Sequence, residues 1–410
     1  MQTIEIENEV RKQRGLKIAK NCKIKKTEEG WLVPSQSGMG LYLVISDGYH
    51  SQCSCPDYEL RHQPCKHCFA VEFIITKTTD SEGNVTIEKS MRITYPQNWT
   101  AYNKAQTHEK DLFMRLLADL CGNIDNPDYQ FGRPKMAFGE MVFASALKVY
   151  TGFSCRRFIS DMRQAHEEGF VDSICCYSSI SNYMRNEELT SILEKLIEIS
   201  SLPLKGCEAK FAVDSTGFAT IQYKRWFDAK YGKDMDKRIW LKAHAICGVK
   251  TNIITGIKVT DAYANDCPIL PELVNKTGKN FGIFEVLADK AYLSRKNFKL
   301  VNEYDALPYI PFKKNTKRTS KGCRLWRKMW LYFEYNRERF LDHYHARSNI
   351  ETTFSMIKAK FGTKVRSKDK TAQINEILLK VLCHNICVII QEMHELGIQP
   401  NFCLKSEEDV

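Results

Sequence analysis

No run of 18 or more apolar residues occurs anywhere in the 410-residue chain, which argues against a simple transmembrane helix. The amino-terminal stretch MQTIEIENEVRKQRG lacks the apolar centre of a signal peptide, so the chain is expected in the cytosol. No internal repeat or low-complexity tract stands out. A disulfide framework is excluded on different grounds. The 16 cysteines are scattered over a long chain without an export signal, so reduced thiols are expected. Most of them, including Cys175, Cys176, Cys247, Cys383 and Cys387, stand in apolar runs and read as small core residues. With 43% hydrophobic residues, the chain can bury a large core and fill two or three domains.

Acid is missing from two segments. The overall excess of +11 is moderate, but residues 11–26 and 313–328 each hold eight Lys or Arg and no Asp or Glu. Such runs suit a polyanion. The second also contains Trp326, with Trp330 close behind, and so is expected to pair charge with stacking surface for nucleic acid. Lys313, Lys314, Lys317 and Arg318 are its leading contact candidates. The plainer alternative is a solvated loop. The closing SEEDV is a short acidic tail.

In CSCPDYELRHQPCKHC, Cys53 and Cys55 form one close pair and Cys65 and His67 another, a donor set suited to tetrahedral zinc. Strands are expected at WLVPS, LYLVIS and HSQCSC, and a helix at CFAVEFII, giving a small ββα-type module. Its core is thin, so the metal should supply much of its folding energy. Cys68 falls out of register with the pairs and His62 lies inside the loop, so neither is assigned as a ligand. The C-x-C…C-x-H pattern resembles the SWIM zinc finger, which implies binding of DNA or of a protein partner rather than catalysis.

Residues 96–200 show apolar positions at three- and four-residue spacing in DLFMRLLADL, GEMVFASALKVY, CRRFISDMRQAH and SISNYMRNEELTSILEKLIEI. These helices could contain a DNA-binding helix-turn-helix or form a purely structural bundle. Beyond SLPLKG the pattern changes. KFAVDSTGF ends an apolar run on Asp214. WLKAHAICGVK and IITGIKVTDAY follow as strands, and DCPILPELVNKT as a helix. FGIFEVLADKAY ends a second run on Asp289, SRKNFKLVNEY reads as a helix, and ALPYIPF as a further strand. The order predicts an α/β fold with a mixed sheet and flanking helices.

The stretch HYHARSNIETTFSMIKAKFG then reads as one helix, ended by Gly362 in a left-handed conformation. At about 100° per residue it places Tyr344, Arg347, Glu351 and Lys358 on one face. Alone, that stripe reads as a solvated face with one ion pair. If the strands ending in Asp214 and Asp289 are neighbours, this helix can bring Glu351 beside them. Three close carboxylates repel unless cations intervene, and oxygen ligands favour Mg²⁺ or Mn²⁺.

The region from about 205 to 395 resembles the catalytic domain of prokaryotic insertion-sequence transposases of the DDE class. The matching residues are AVDSTGF at Asp214, ADKAY at Asp289, and Y-x-x-R-x-x-x-E-x-x-x-x-x-x-K at Tyr344, Arg347, Glu351 and Lys358. GRPKM resembles part of the amino-terminal region of such enzymes. The resemblance implies an RNase H-like fold with three antiparallel strands followed by two parallel ones. It also implies that Asp214, Asp289 and Glu351 hold two Mg²⁺ or Mn²⁺ ions, and that Tyr344, Arg347 and Lys358 hold the transposon end. The implied activity is DNA cleavage and strand transfer by an oligomer of at least two chains, with no membrane partner. Alternatives are a domesticated DNA-binding regulator, a non-transposing nuclease of the same fold, and a structural bundle whose zinc module recruits a protein. The expected domains are 1–95 (zinc module), 96–200 (helical), 201–395 (catalytic) and 396–410 (tail).

Overall fold

The computed structural model describes residues 11–12, 14–19, 22, 24–27, 29–36, 41–46, 51–79, 85–90, 98–122, 124–126, 136–220, 240–400 and 402. Most of the GRPKM turn and the SEEDV tail lie outside these residues. The chain divides into two compact units, Met1–Trp99 and Thr100–Val410.

In the smaller unit, strands β1 (Lys25–Lys26), β2 (Trp31–Pro34), β3 (Leu41–Ser46) and β4 (Ser51–Cys53) form an antiparallel sheet in sequential order. A six-residue helix α1 (Pro56–Arg61) follows, then α2 (Lys66–Ile74) and a hairpin of β5 (Ile75–Thr79) and β6 (Val85–Ser90). Helix α1 was not expected. Pro56 opens it, Asp57 and Glu59 sit in its first turn, and it ends at His62 in a left-handed conformation. Val33, Val44, Ala70 and Val71 are buried together with Cys53, Cys55, Cys65 and Cys68.

The larger unit begins with helices α3 (Trp99–Thr107), α4 (Glu109–Cys121), α5 (Phe138–Thr151), α6 (Ile159–Glu167), α7 (Tyr177–Tyr183) and α8 (Glu187–Ser201). The last is capped by Asn186, whose side chain accepts from Glu188 N. Five strands follow: β7 (Lys210–Ala219), β8 (Trp240–Gly248), β9 (Ile254–Asp261), β10 (Glu285–Ala288) and β11 (Leu307–Tyr309). Their order is β11-β10-β7-β8-β9. Strands β7, β8 and β9 are antiparallel, while β10 runs parallel to both β7 and β11. This is the mixed sheet expected from the pattern. Strand β7 does not stop at Asp214 but continues to Ala219, carried by pairing with β8.

Helices α9 (Leu270–Gly278) and α10 (Arg295–Glu303) alternate with the later strands. Four further helices complete the unit: α11 (Arg324–Tyr335), α12 (Arg337–Tyr344), α13 (Ser348–Phe361) and α14 (Lys370–Glu395). The 26-residue α14 has the length and hydropathy of a membrane span, but 83% of that window is buried in the protein. It packs on α4, α5, α8 and β9, so one hydrophobic core joins the early helices to the sheet.

The expected single helix from His343 to Gly362 is interrupted. A 3-10 turn, His345–Arg347, separates α12 from α13, so Tyr344 ends one helix and Glu351 lies in the next. The Ser348 hydroxyl donates to the His345 carbonyl (2.9 Å), offering the backbone a competing partner at this point. Gly362 has positive φ (84°), but its ψ of 151° is extended rather than left-handed helical. The described cysteines are free. Cys175, Cys247 and Cys383 are buried and Cys387 is half-buried, whereas Cys176 is exposed where it precedes α7.

Candidate active site and candidate zinc centre

Asp214 lies within β7 and Asp289 directly follows β10. Ala288 pairs with Val213 in the parallel register, so each aspartate is the next residue after that last pair, Asp214 within β7 and Asp289 just past β10. Each carboxylate accepts a backbone N–H from the next residue, Ser215 N at 2.8 Å and Lys290 N at 2.6 Å. Glu351 comes from the first turn of α13. Arg347 stands between the acids, donating from Nη1 to Asp214 Oδ2 (2.6 Å) and from Nη2 to Glu351 Oε1 (2.5 Å). Its guanidinium also lies 5.7 Å from the Tyr344 ring centre.

Burial raises the Asp214 pKa. Ser215 N–H and Arg347 oppose that rise, while the charges of Asp289 and Glu351 add to it. Asp214 therefore feels both other acids. Among the described residues the three carboxylates do not form a tight donor cluster like the thiol and imidazole group below, and a guanidinium contacts two of them. Lys358 lies farther along α13, where its Nζ donates to Thr216 Oγ1 (2.6 Å) and sits 5.4 Å from the Phe218 ring centre. Burial lowers its pKa.

Sequence reasoning missed the groups behind Asp214. Asp266 takes hydrogen bonds from Lys242 (2.9 Å) and lies 3.2 Å from Nδ1 of the fully buried His244. Burial works against Asp266 ionising, yet hydrogen bonds from Lys242 and Ser215 hold its pKa below the usual carboxylate range. The Tyr292 hydroxyl is buried nearby and kept protonated by burial and by the charges of Asp266 and Asp214. The available signal was the strand register, since His244 in β8 pairs opposite Ser215.

The basic segment 313–328 differs from expectation in one respect. All eight of its Lys and Arg residues are exposed, including Lys313, Lys314, Lys317 and Arg318, but the tryptophans are not a free stacking surface. Trp326 is 3% exposed, packed against Phe298 and Phe312, and its Nε1 donates to the Lys317 carbonyl (3.1 Å). Trp330 Nε1 donates to the Thr316 carbonyl (3.1 Å). Leu325, Trp326, Met329 and Phe333 form the buried stripe of amphipathic α11, so the aromatics anchor the loop and leave the cations in solvent.

In the smaller unit, the donor atoms of Cys53, Cys55, Cys65 and His67 all lie within 4.8 Å of one another, and all four residues are buried. His67 Nδ1 faces the sulfurs of Cys53 (3.8 Å) and Cys65 (3.6 Å). Among the described residues its buried Nε2 has no hydrogen-bond partner. Hydrogen bonds from Cys53, Cys68 and His67 favour the Cys65 thiolate, and the same Cys65 contact keeps Cys53 protonated. Three sulfurs and an imidazole nitrogen converge in a buried group of the kind that binds tetrahedral zinc, so the residues fit zinc. The nearby Cys68 sulfur lies 3.7 Å from both Cys65 Sγ and the Ser51 carbonyl oxygen, outside the four-donor group.

Two segments of the chain match known family models. Residues 205–386 match the transposase DDE domain and residues 40–74 the SWIM zinc finger. The chain is thus similar to a transposase DDE domain over its mixed five-stranded sheet and to a SWIM zinc finger over its cysteine and histidine group. Among curated proteins, the chain is 24% identical over 213 residues to the probable transposase for insertion sequence element ISA1214 of Archaeoglobus fulgidus. The match covers 52% of this chain and 63% of that relative, so the chain spans less than two thirds of the relative's length.

Proposed function

We propose that this chain is a transposase that cuts DNA at the ends of an insertion sequence and joins the freed 3′ ends to target DNA. The reading rests on one observation: Asp214 lies in β7 and Asp289 just past the end of its neighbour β10, and Arg347 ties Glu351 to Asp214. Divalent cations bound to these carboxylates, Mg²⁺ or Mn²⁺, would supply the chemistry that activates the attacking hydroxyl and stabilises the leaving oxygen. Asp214, Asp289 and Glu351 are the residues that would hold these ions.

The remaining residues position DNA. Arg347 has the forked donor set that fits a phosphate once it releases a carboxylate, and Lys358 offers a point charge. Tyr344 supplies a ring and hydroxyl beside them. Lys313, Lys314, Lys317 and Arg318 extend from the loop anchored by Trp326 and Trp330 to meet the duplex backbone. The SWIM module binds zinc and contributes affinity for DNA or a partner, not chemistry. We place the reaction in a prokaryotic cytosol, on two element ends held by at least two chains. The domain limits 1–95, 96–200, 201–395 and 396–410 belong to the same proposal.

The test is cleavage of DNA carrying the element's ends in Mg²⁺, with Asp214→Ala, Asp289→Ala and Glu351→Ala. Loss of a mere outer-shell partner costs about 10- to 100-fold at metal sites, so each substitution should cost more than about 100-fold. Activity retained by any one of them removes that residue from the metal site.

A further inference from the structure

At the far end of α13 from Glu351, basic side chains converge on a concavity. Lys148 of α5, Arg185 just beyond α7, and Arg366 and Lys368 before α14 line it, with hydroxyls from Ser154 and Ser181. Asp369 is the single acid among the lining residues, and its Oδ1 is committed to Ala372 N as the cap of α14. The nearby Glu376 is also committed, accepting from Arg366 N (2.9 Å), Ser367 N (2.8 Å) and Ser367 Oγ (2.7 Å).

Lys148 is 7% exposed, and among the described residues its ammonium has no carboxylate partner. Arg366 binds the Gly152 carbonyl rather than an acid. Lys148 and Arg366 both act as like charges on Lys380, which lies behind them and donates to the carbonyls of Gly362 (3.0 Å) and Lys364 (2.7 Å). Cations gathered in a partly desolvated concavity, with the local acids occupied by backbone, create a field that draws an anion.

The fold sets how far the segment 363–365, which leads into Arg366 of the concavity, lies from the acids. Strand β7 runs from Asp214 to Ala219, which hydrogen-bonds Thr363 and Val365, and α13 spans the same interval from Glu351 to Phe361. Five strand steps or ten helix steps both amount to about 15–17 Å, or about five base pairs of duplex. Lys358 lies between the two ends.

We propose that this concavity is a phosphate-binding site which holds the backbone of a DNA duplex about five base pairs from the candidate cleavage point. It rests on the reading that the chain handles DNA. Phosphate contacts carry no sequence information, so such a grip is independent of sequence and sensitive to salt.

The test is binding of the full-length, zinc-loaded chain to a duplex of about 30 base pairs, without divalent metal, between about 50 and 200 mM salt. Arg185→Glu/Lys368→Glu should reduce the slope of log affinity against log salt by about 1 to 2 and weaken low-salt binding by about tenfold or more. A control, Lys195→Glu/Lys205→Glu, makes the same charge change at exposed positions outside the concavity and should keep the wild-type slope. Thermal melting checks folding, and Arg185→Gln/Lys368→Gln replaces the double glutamate variant if that variant unfolds. An unchanged slope, or an equal loss in the control, overturns this site and leaves the cleavage reading standing. A wild-type chain that binds no duplex overturns both.

Discussion

Arg347 acts as an internal counter-ion. It joins two acids that would otherwise repel, with one guanidinium nitrogen on Asp214 and another on Glu351. Its position at the end of the 3-10 turn, rather than in mid-helix, lets it reach back to β7 while Glu351 stays 57% exposed. A second residue gives a clean pH prediction. His384 is buried in α14, its Nε2–H donates to the Asn252 carbonyl (3.0 Å), and burial lowers its pKa from 6.5 to about 4. As pH falls below 6.5 the unfolded chain binds the proton first, so stability should drop by about 3 kcal/mol down to about pH 4. Above 6.5 this residue adds no pH dependence. His384→Gln can keep the hydrogen bond to Asn252, and urea denaturation at pH 7 and pH 4.5 should show a shallower acid loss for it than for wild type. An equal loss in both would place the acid sensitivity elsewhere.

Helix α14 seals the free edge of the sheet as well as filling the core. Asn385 is fully buried, and its side chain pairs with both backbone groups of Ile254 in the edge strand β9, with N–H···Oδ1 at 3.0 Å and Nδ2–H···O at 2.8 Å. The same amide reaches Ser200 Oγ (3.0 Å) at the end of α8. Asn385→Leu would leave two buried backbone groups unpaired, at about 1–3 kcal/mol each, and should lower the denaturation midpoint without changing the slope. A variant within about 0.5 kcal/mol of wild type would show that the edge finds other partners. Such couplings are hard to read in a sequence because their partners are more than 100 residues apart. The strands carrying Asp214 and Asp289 were legible because each apolar run is local. The paired zinc donors were legible for the same reason. Glu351 needed the family resemblance, since nothing local tells a catalytic glutamate from a solvated one. The 3-10 turn depends on one serine hydroxyl, and the fate of Trp326 depends on the Phe298 and Phe312 rings packed against it, so neither was visible in the sequence.

The molecule consists of two units that fold for different reasons. The larger has a continuous apolar core spanning early helices, sheet and α14, whereas the smaller closes a few aliphatic side chains around four metal-type donors. A thin core leaves little surplus over chain entropy, so zinc binding should account for much of the smaller unit's stability. Stripping the metal with a chelator, or making Cys65→Ser, should therefore release about one zinc per chain and abolish the smaller unit's thermal transition. The transition of the larger unit should not move, and a fragment of residues 100–410 should melt at that same temperature. Cys68→Ser supplies the internal control: its thiol lies against Cys65 but outside the four-donor group, so this variant should keep its zinc. Zinc loss in Cys68→Ser would reassign the ligands. A fragment of 100–410 without a cooperative transition would show that the larger core depends on residues of the smaller unit, and the two could no longer be treated as separately stable.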